Sequence, residues 1–286
     1  PTLFSSRDSD GVAMSLVMCP LCTGDDEVHL VEKLADGRRR VECRDCDYQW
    51  DHGDPVAERR PAGTSLAVAR SRFPTAGDVH PEARLRAEML KAQYLGEERP
   101  EPDPRVAPFW SKYQLLFSEQ ALPTAPPEDL KRFANDPTGV YVGFMTSFNN
   151  AWNEMGEEAG AALLRQVVAH LLRGTRPQSL EDRLTQLIKG TVPFTMPGFK
   201  EALLTKTLCV VYPDKYMTIV TYDQKRIMAK AVYGLDLPAA DRVAMTIGRL
   251  IVWSNDLLSE LVGEGFAHQQ HAADFLWWAK DRGAGA

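Results

Sequence analysis

From Phe109 onward, apolar residues recur at three- and four-residue intervals, the spacing that gathers them on one side of an α-helix. Phe109, Trp110, Tyr113, Leu116 and Phe117 form one such stripe, and Leu164, Val167, Val168, Leu171 and Leu172 another. Ser179 with Asp182 resembles a capping box, which opens a helix with Leu180, Leu184, Leu187 and Ile188 inward and Gly190 at its end. A helix is expected from Glu201 to Val211. Ile247, Leu250, Ile251, Leu257, Leu258 and Leu261 predict a long one, and Phe275, Leu276, Trp277 and Trp278 a terminal one. Short β pieces are expected at Tyr141-Val142 or around Ile219-Val220, but no alternating run is long enough to build a sheet. The fold class is therefore mainly α, with a small β-hairpin zinc ribbon at the amino-terminal end.

That ribbon is read from alternation and from cysteine spacing. Residues Glu27 to Leu34 alternate polar and apolar, Asp36-Gly37 supplies a turn, and Arg38 to Glu42 return along it. Cys19-Pro-Leu-Cys22 and Cys43-Arg-Asp-Cys46 flank the hairpin as two C-x2-C knuckles. Four thiolates close a tetrahedral Zn2+ site with no position left for a catalytic water, so the metal is structural and His29 and His52 are bystanders. Cys209, alone in an apolar stretch, reads as a core residue.

Three regions follow: a zinc ribbon at 15–53, a connector at 54–105, and a helical DNA-interaction domain at 106–282. The connector is rich in proline and charge, and one helix crosses it, with Pro81 at its start and Leu85, Met89, Leu90 and Leu95 sharing a face. A length of 286 residues fits two units. No run of apolar residues is long enough for a membrane span and no signal peptide is visible, so a cytoplasmic protein without a membrane partner is expected.

Charge changes the picture locally. The total is −6, from 33 Lys and Arg against 39 Asp and Glu, which disfavours bulk coating of nucleic acid. Positive charge is nevertheless concentrated in two places. Arg38, Arg39 and Arg40 lie on the hairpin near Tyr48 and Trp50; they either hold phosphates or form a solvated face, and the two aromatics serve better as the small module's core. Lys200, Lys206, Lys215, Lys225, Arg226 and Lys230 surround Pro197-Gly198, a tight turn that delivers the chain into a helix whose first amides can hold a phosphate. The plain alternative is a helix connector with solvated lysines at its rim. His268 and His271 near Asp274 lack a fourth ligand and read as a helix start, while Trp253, Asn255 and Asp256 line a base pocket or form core and cap.

The order Pro197-Gly198-Phe199, Thr205-Lys206-Thr207-Leu208, Tyr212-Pro213-Asp214-Lys215-Tyr216, Trp253-Ser254-Asn255-Asp256 and Phe275-Leu276-Trp277-Trp278 resembles the amino-terminal recognition regions of McrBC-type modification-dependent restriction proteins. That resemblance implies recognition of DNA, including modified bases, within a restriction or phage-defence system. Such proteins usually continue into a GTP-driven motor, and no G-x4-G-K-[ST] loop occurs in this chain, so a separate motor or nuclease subunit is implied. The same segment more distantly resembles helix-hairpin-helix DNA glycosylases. That resemblance implies Gly198 in the hairpin, Asp223 in catalysis, and Lys200 or Lys206 as an amine nucleophile, although the second hairpin glycine is missing here. A further alternative, from another class, is a protein-interaction adaptor that docks a motor or nuclease through the ribbon.

Overall fold

The computed structural model describes residues 28–34, 39–43, 46–52, 66–96, 103–174, 178–241 and 243–283. The chain divides into two compact units, residues 1–69 with 241–244, and residues 70–240 with 245–286.

In the first unit, strands β1 (Val28–Lys33), β2 (Arg39–Cys43) and β3 (Tyr48–His52) form an antiparallel meander in the order β1-β2-β3. Leu30 pairs with Val41, and Cys43 with Tyr48. The first two strands are the expected hairpin. The third is an addition, and its cause is local: the Cys46 N–H donates to the Cys43 carbonyl at 3.3 Å, and Asp47 takes a left-handed φ of 53°, so the chain reverses at once into a second hairpin. Val41 and Cys43 are buried, and Tyr48 stacks on Trp50 with ring centroids 6.0 Å apart, the small core that was expected of those aromatics. Cys19, Cys22, Arg38 and the Asp36-Gly37 turn lie outside the described residues.

Mainly helical structure follows, with eleven α-helices among the described residues. Helix α1 spans Leu66–Ser71 and α2 spans Pro81–Gly96. Although composition places α2 in the connector, Tyr94 packs against Phe266, Phe275 and Trp278, so α2 belongs to the second unit. The face it buries also differs from the expected one. Ala83, Ala87 and Tyr94 turn inward, while Leu85 and Met89 are exposed, because small residues let the helix lie close and one large ring then fills the remaining space.

The other helices are α3 (Val106–Leu116), α4 (Pro127–Asn135), α5 (Thr146–Met155), α6 (Glu157–Arg173), α7 (Leu180–Lys189), α8 (Glu201–Val211), α9 (Tyr222–Tyr233), α10 (Ile247–Val262) and α11 (Gln269–Gly283). The expected stripes on α3, α6, α7 and α10 are buried except at Leu116, Leu172, Leu180, Ile188 and Ile247, which are half-buried. Helix α7 starts as predicted, with the Ser179 hydroxyl accepting from the Asp182 N–H at 3.1 Å, and ends at Gly190 in the left-handed region. Residues 141–142 and 219–220 form no strand; both lie in connections that helices border on each side. Helix α8 is the centre of the unit: every residue from Leu203 to Val210 is buried, including Thr205, Lys206 and Thr207. A helix surrounded on all sides has no solvent face on which to carry a charge.

Candidate functional site

Burial on α8 and on the inner side of α9 removes two lysines from the predicted basic face. Lys206 is fully buried; its ammonium donates to the Asp136 carbonyl and sits 5.5 Å and 5.1 Å from the ring centroids of Phe109 and Phe133. Lys225 is 1% exposed and donates to the Ile251 carbonyl at 3.0 Å. Burial pushes both ammoniums down to about 8. Neither reaches a phosphate, and neither belongs to a DNA-contact surface; nor is Lys206 placed as a nucleophile for a bound substrate. Lys200 is half-buried and folds back, its ammonium 3.2 Å from the Leu187 carbonyl at the carboxyl end of α7. Arg226 faces Asp223 at 3.5 Å, and Arg40 pairs with Asp51 at 2.9 Å. Lys215 is exposed, its ammonium 5.4 Å from the centroid of the Tyr216 ring. Arg39 lies half-buried on β2.

The Pro197-Gly198 turn is present and is type II in pattern: the Phe199 N–H donates to the Met196 carbonyl at 3.0 Å, and Gly198 has φ +74°. A β-carbon on Gly198 would stand 2.3 Å from the Phe148 nitrogen. The close backbone approach that requires glycine is therefore made by α5 of the same chain, which corrects the assignment of Gly198 to a DNA backbone. Asp223 sits in the first turn of α9, its side chain 85% exposed, while Thr221 caps that helix. A carboxylate so open to water lacks the enclosed surroundings that tune an acid-base catalyst.

The structure gathers a different set of groups. A cleft of about 480 Å³ opens between the start of α3, the α4–α5 connection, the amino end of α9 and one face of α11. Gln270, Asp274 and Trp277 stand at i, i+4 and i+7 on α11 and line one wall, while Ala272, Ala273, Phe275, Leu276 and Ala279 of the same helix fill the core. Tyr141, Gln224 and Thr218 also line it. Tyr141 and Trp277 keep 69% and 37% of their surfaces exposed. At one end Asp103 grips Arg105 bidentately, with the shortest contact 2.7 Å, and these bonds hold the Asp103 carboxyl below its ordinary value.

Two polar groups in the cleft lack settled partners or charge. The side-chain oxygen of Gln270 is buried and makes no hydrogen bond within the protein. Asp274 is exposed at its surface, yet the protein packed around it pushes its carboxyl up to about 6, so it is mainly an acceptor at neutral pH and becomes a donor only as the pH falls below that value. Amides, a carboxyl and two partly exposed aromatic side chains, with the Lys280 ammonium 5.7 Å from the Trp277 ring centroid, together suit a flat ring with hydrogen-bonding edges. Periodicity and charge did not mark this site in the sequence; the only trace is the polar and aromatic spacing of Gln270, Asp274 and Trp277 within an otherwise apolar helix. Trp253 and Asn255, one reading of which was a pocket, are core: Asn255 ties Met217 and Lys215 to α10 through bonds of 3.0 Å and 2.9 Å. His271 is likewise buried, against Tyr94 and Phe266.

In the first unit, Cys43 is fully buried and Cys46 follows it across the tight turn, a geometry that lets two sulfurs converge. Among the described residues no three His, Cys, Asp or Glu side chains come together, and two of the four knuckle thiols lie outside them. No described helix is long and apolar enough to cross a membrane. Comparison with protein-family models, with curated proteins and with solved structures finds no match to this chain.

Proposed function

We propose that this chain is a DNA-recognition protein whose helical unit takes one unstacked base into the cleft on α11. The observation that carries this reading is the cleft itself: it is lined by the partly exposed aromatic side chains of Tyr141 and Trp277 and by the polar side chains of Gln224, Gln270 and Asp274. Nucleic-acid bases lying out of the stack are held in this way, by aromatic stacking and hydrogen bonds to the base edge. The contact surface differs from the basic segment expected from the sequence, since Lys206 and Lys225 are internal.

The amino-terminal sheet fits a zinc ribbon in which Cys43 and Cys46 supply one knuckle and Cys19 and Cys22 the other. Bound there, Zn2+ closes the small module structurally. The resemblance to modification-dependent restriction proteins supports a place in a restriction or defence system, with a motor or nuclease supplied by another polypeptide. Enzymatic base removal finds no support in the position of Asp223.

The test is binding of the full chain, at low and at physiological salt, to duplex, single-stranded and base-modified oligonucleotides. Binding that weakens with salt and falls about tenfold or more in Trp277→Ala is expected, since stacking on one aromatic ring is worth about 1–3 kcal/mol. Absence of DNA binding at low salt overturns the reading and favours the adaptor that docks a motor or nuclease through its ribbon.

A further inference from the structure

Hydrogen-bonding groups in the α11 cleft are unequally used. Arg105 is matched by Asp103 at 2.7 Å, and Lys280, over the Trp277 ring, by Asp281 at 2.6 Å. Asp274 has no such match. Among the described residues its carboxylate faces neither a cation nor a donor, and burial alone shifts its proton affinity. Gln270, one turn earlier on α11, has its amide oxygen buried and without a donor. Gln224 is held the other way round: its amide oxygen accepts from the Thr221 N–H at 3.3 Å in the capping box of α9, so its NH2 is the end left for a ligand. At neutral pH the lining therefore presents two acceptors side by side on α11 and a donor from α9.

That pattern discriminates among bases. Cytosine and adenine carry an amino donor beside a bare ring nitrogen, which only accepts, and thymine carries a single N–H between two carbonyls. Guanine alone sets two donors next to each other, N1–H and the 2-amino group, with the O6 carbonyl adjoining them. Two neighbouring acceptors and a donor are its complement. A carboxylate turned toward a bare ring nitrogen or a carbonyl instead sets acceptor against acceptor, and covering it in that state strips its water without replacing it. Asp274 is also the unbalanced charge of the lining, so a phosphate is kept out of the cleft while a base edge that donates is drawn in.

We infer that the α11 cleft selects guanine, with Asp274 and Gln270 accepting from N1–H and the 2-amino group and Gln224 donating to O6. This inference rests on the reading of the cleft as a base site and adds which base it takes. The ring packs against Tyr141 and Trp277 whatever the base, so those two side chains give affinity and the three polar ones give choice.

The experiment measures binding of the full chain, at low salt, to short single strands of thymine that differ in one central base: guanine, hypoxanthine, adenine, cytosine or thymine itself. The guanine strand is expected to bind about tenfold or more tighter than the adenine, cytosine and thymine strands. Hypoxanthine, which keeps N1–H and lacks the 2-amino group, should fall between them; this comparison needs no variant. Asp274→Asn, checked for folding by thermal melting, should lose most of the preference for guanine while its affinity for the thymine strand changes less than about twofold. A wild-type chain that ranks the bases alike, or prefers one other than guanine, overturns the selection and leaves the base site standing. Hypoxanthine bound as tightly as guanine overturns the pairing of two donors with two acceptors. A guanine preference that persists in a folded Asp274→Asn overturns the role given to that carboxylate. Binding to none of the strands overturns the base site and the selection together.

Discussion

Raising the pH from 7 to 10 is expected to stabilise the helical unit, the reverse of what a mainly surface-charged, acidic protein would do. Lys206 and Lys225 stand at 0% and 1% exposure, and burial holds their ammoniums at about 8 rather than the ordinary 10.5. Between those values the unfolded chain binds more protons than the folded one, so stability rises with pH by about 1.4 kcal/mol per unit for each lysine. Below pH 8 both forms are charged and the full cost of burying each ammonium is borne. From pH 8 to pH 10 the two lysines together return about 4 kcal/mol. Cys209 opposes them: its buried thiol is pushed up to about 12, so the unfolded chain loses that proton first and stability falls by about 1 kcal/mol over the upper part of the range. Burial also raises Tyr94 to about 12 and Tyr113, Tyr216, Tyr222 and Tyr233 in the same direction, so by pH 10 the unfolded chain gains about 0.4 kcal/mol at each, about 2 kcal/mol in all. The net gain therefore peaks at about 2 kcal/mol between about pH 9 and 10 and reverses above. Urea unfolding followed by tryptophan fluorescence measures this, since five of the six tryptophans lie in the helical unit. Stability that is flat or falling between about pH 7 and 9, where a rise of about 2 kcal/mol is expected, refutes the burial of these ammoniums. A Lys225→Met variant that keeps the full slope refutes it as well, because half of the rise should go.

Gly198→Ala is expected to cost about 3 kcal/mol in the same unfolding assay: a left-handed φ is strained for alanine, and the added carbon would press on the Phe148 backbone 2.3 Å away. Were the glycine needed only for a DNA phosphate, stability would hardly change. The ribbon should carry one Zn2+ per chain by elemental analysis, lost in Cys43→Ser; a chain without zinc, or with iron, sinks the four-cysteine assignment.

Much of the fold was legible because each helix carries its own record. The three-and-four spacing on α3, α6 and α10 needs only a non-polar side to turn toward, and Ser179 and Gly190 mark the ends of α7 by local backbone bonding. Alternation likewise announced β1 and β2. The third strand escaped notice because Asp47 had to leave the usual φ range for it to follow so soon after Cys46.

Sequence by itself determined a mainly helical chain with an amino-terminal β element, and the ends of α7 and α8, since these depend on neighbours within a few residues. Tertiary structure alone decided which side of a helix is solvent. Lys206 and Lys225 carry charge that reads as surface, yet α8 runs through the middle of the unit and Lys225 lies on the inner side of α9, where backbone carbonyls from Asp136 and Ile251 receive them. Leu85 and Met89 read as core, yet Ala83 and Ala87 are what allow α2 to lie close. The cleft arises from the same cause. Its walls come from four distant parts of the chain, so no local pattern could bring Tyr141 and Trp277 to one cleft or leave the Gln270 oxygen without a partner.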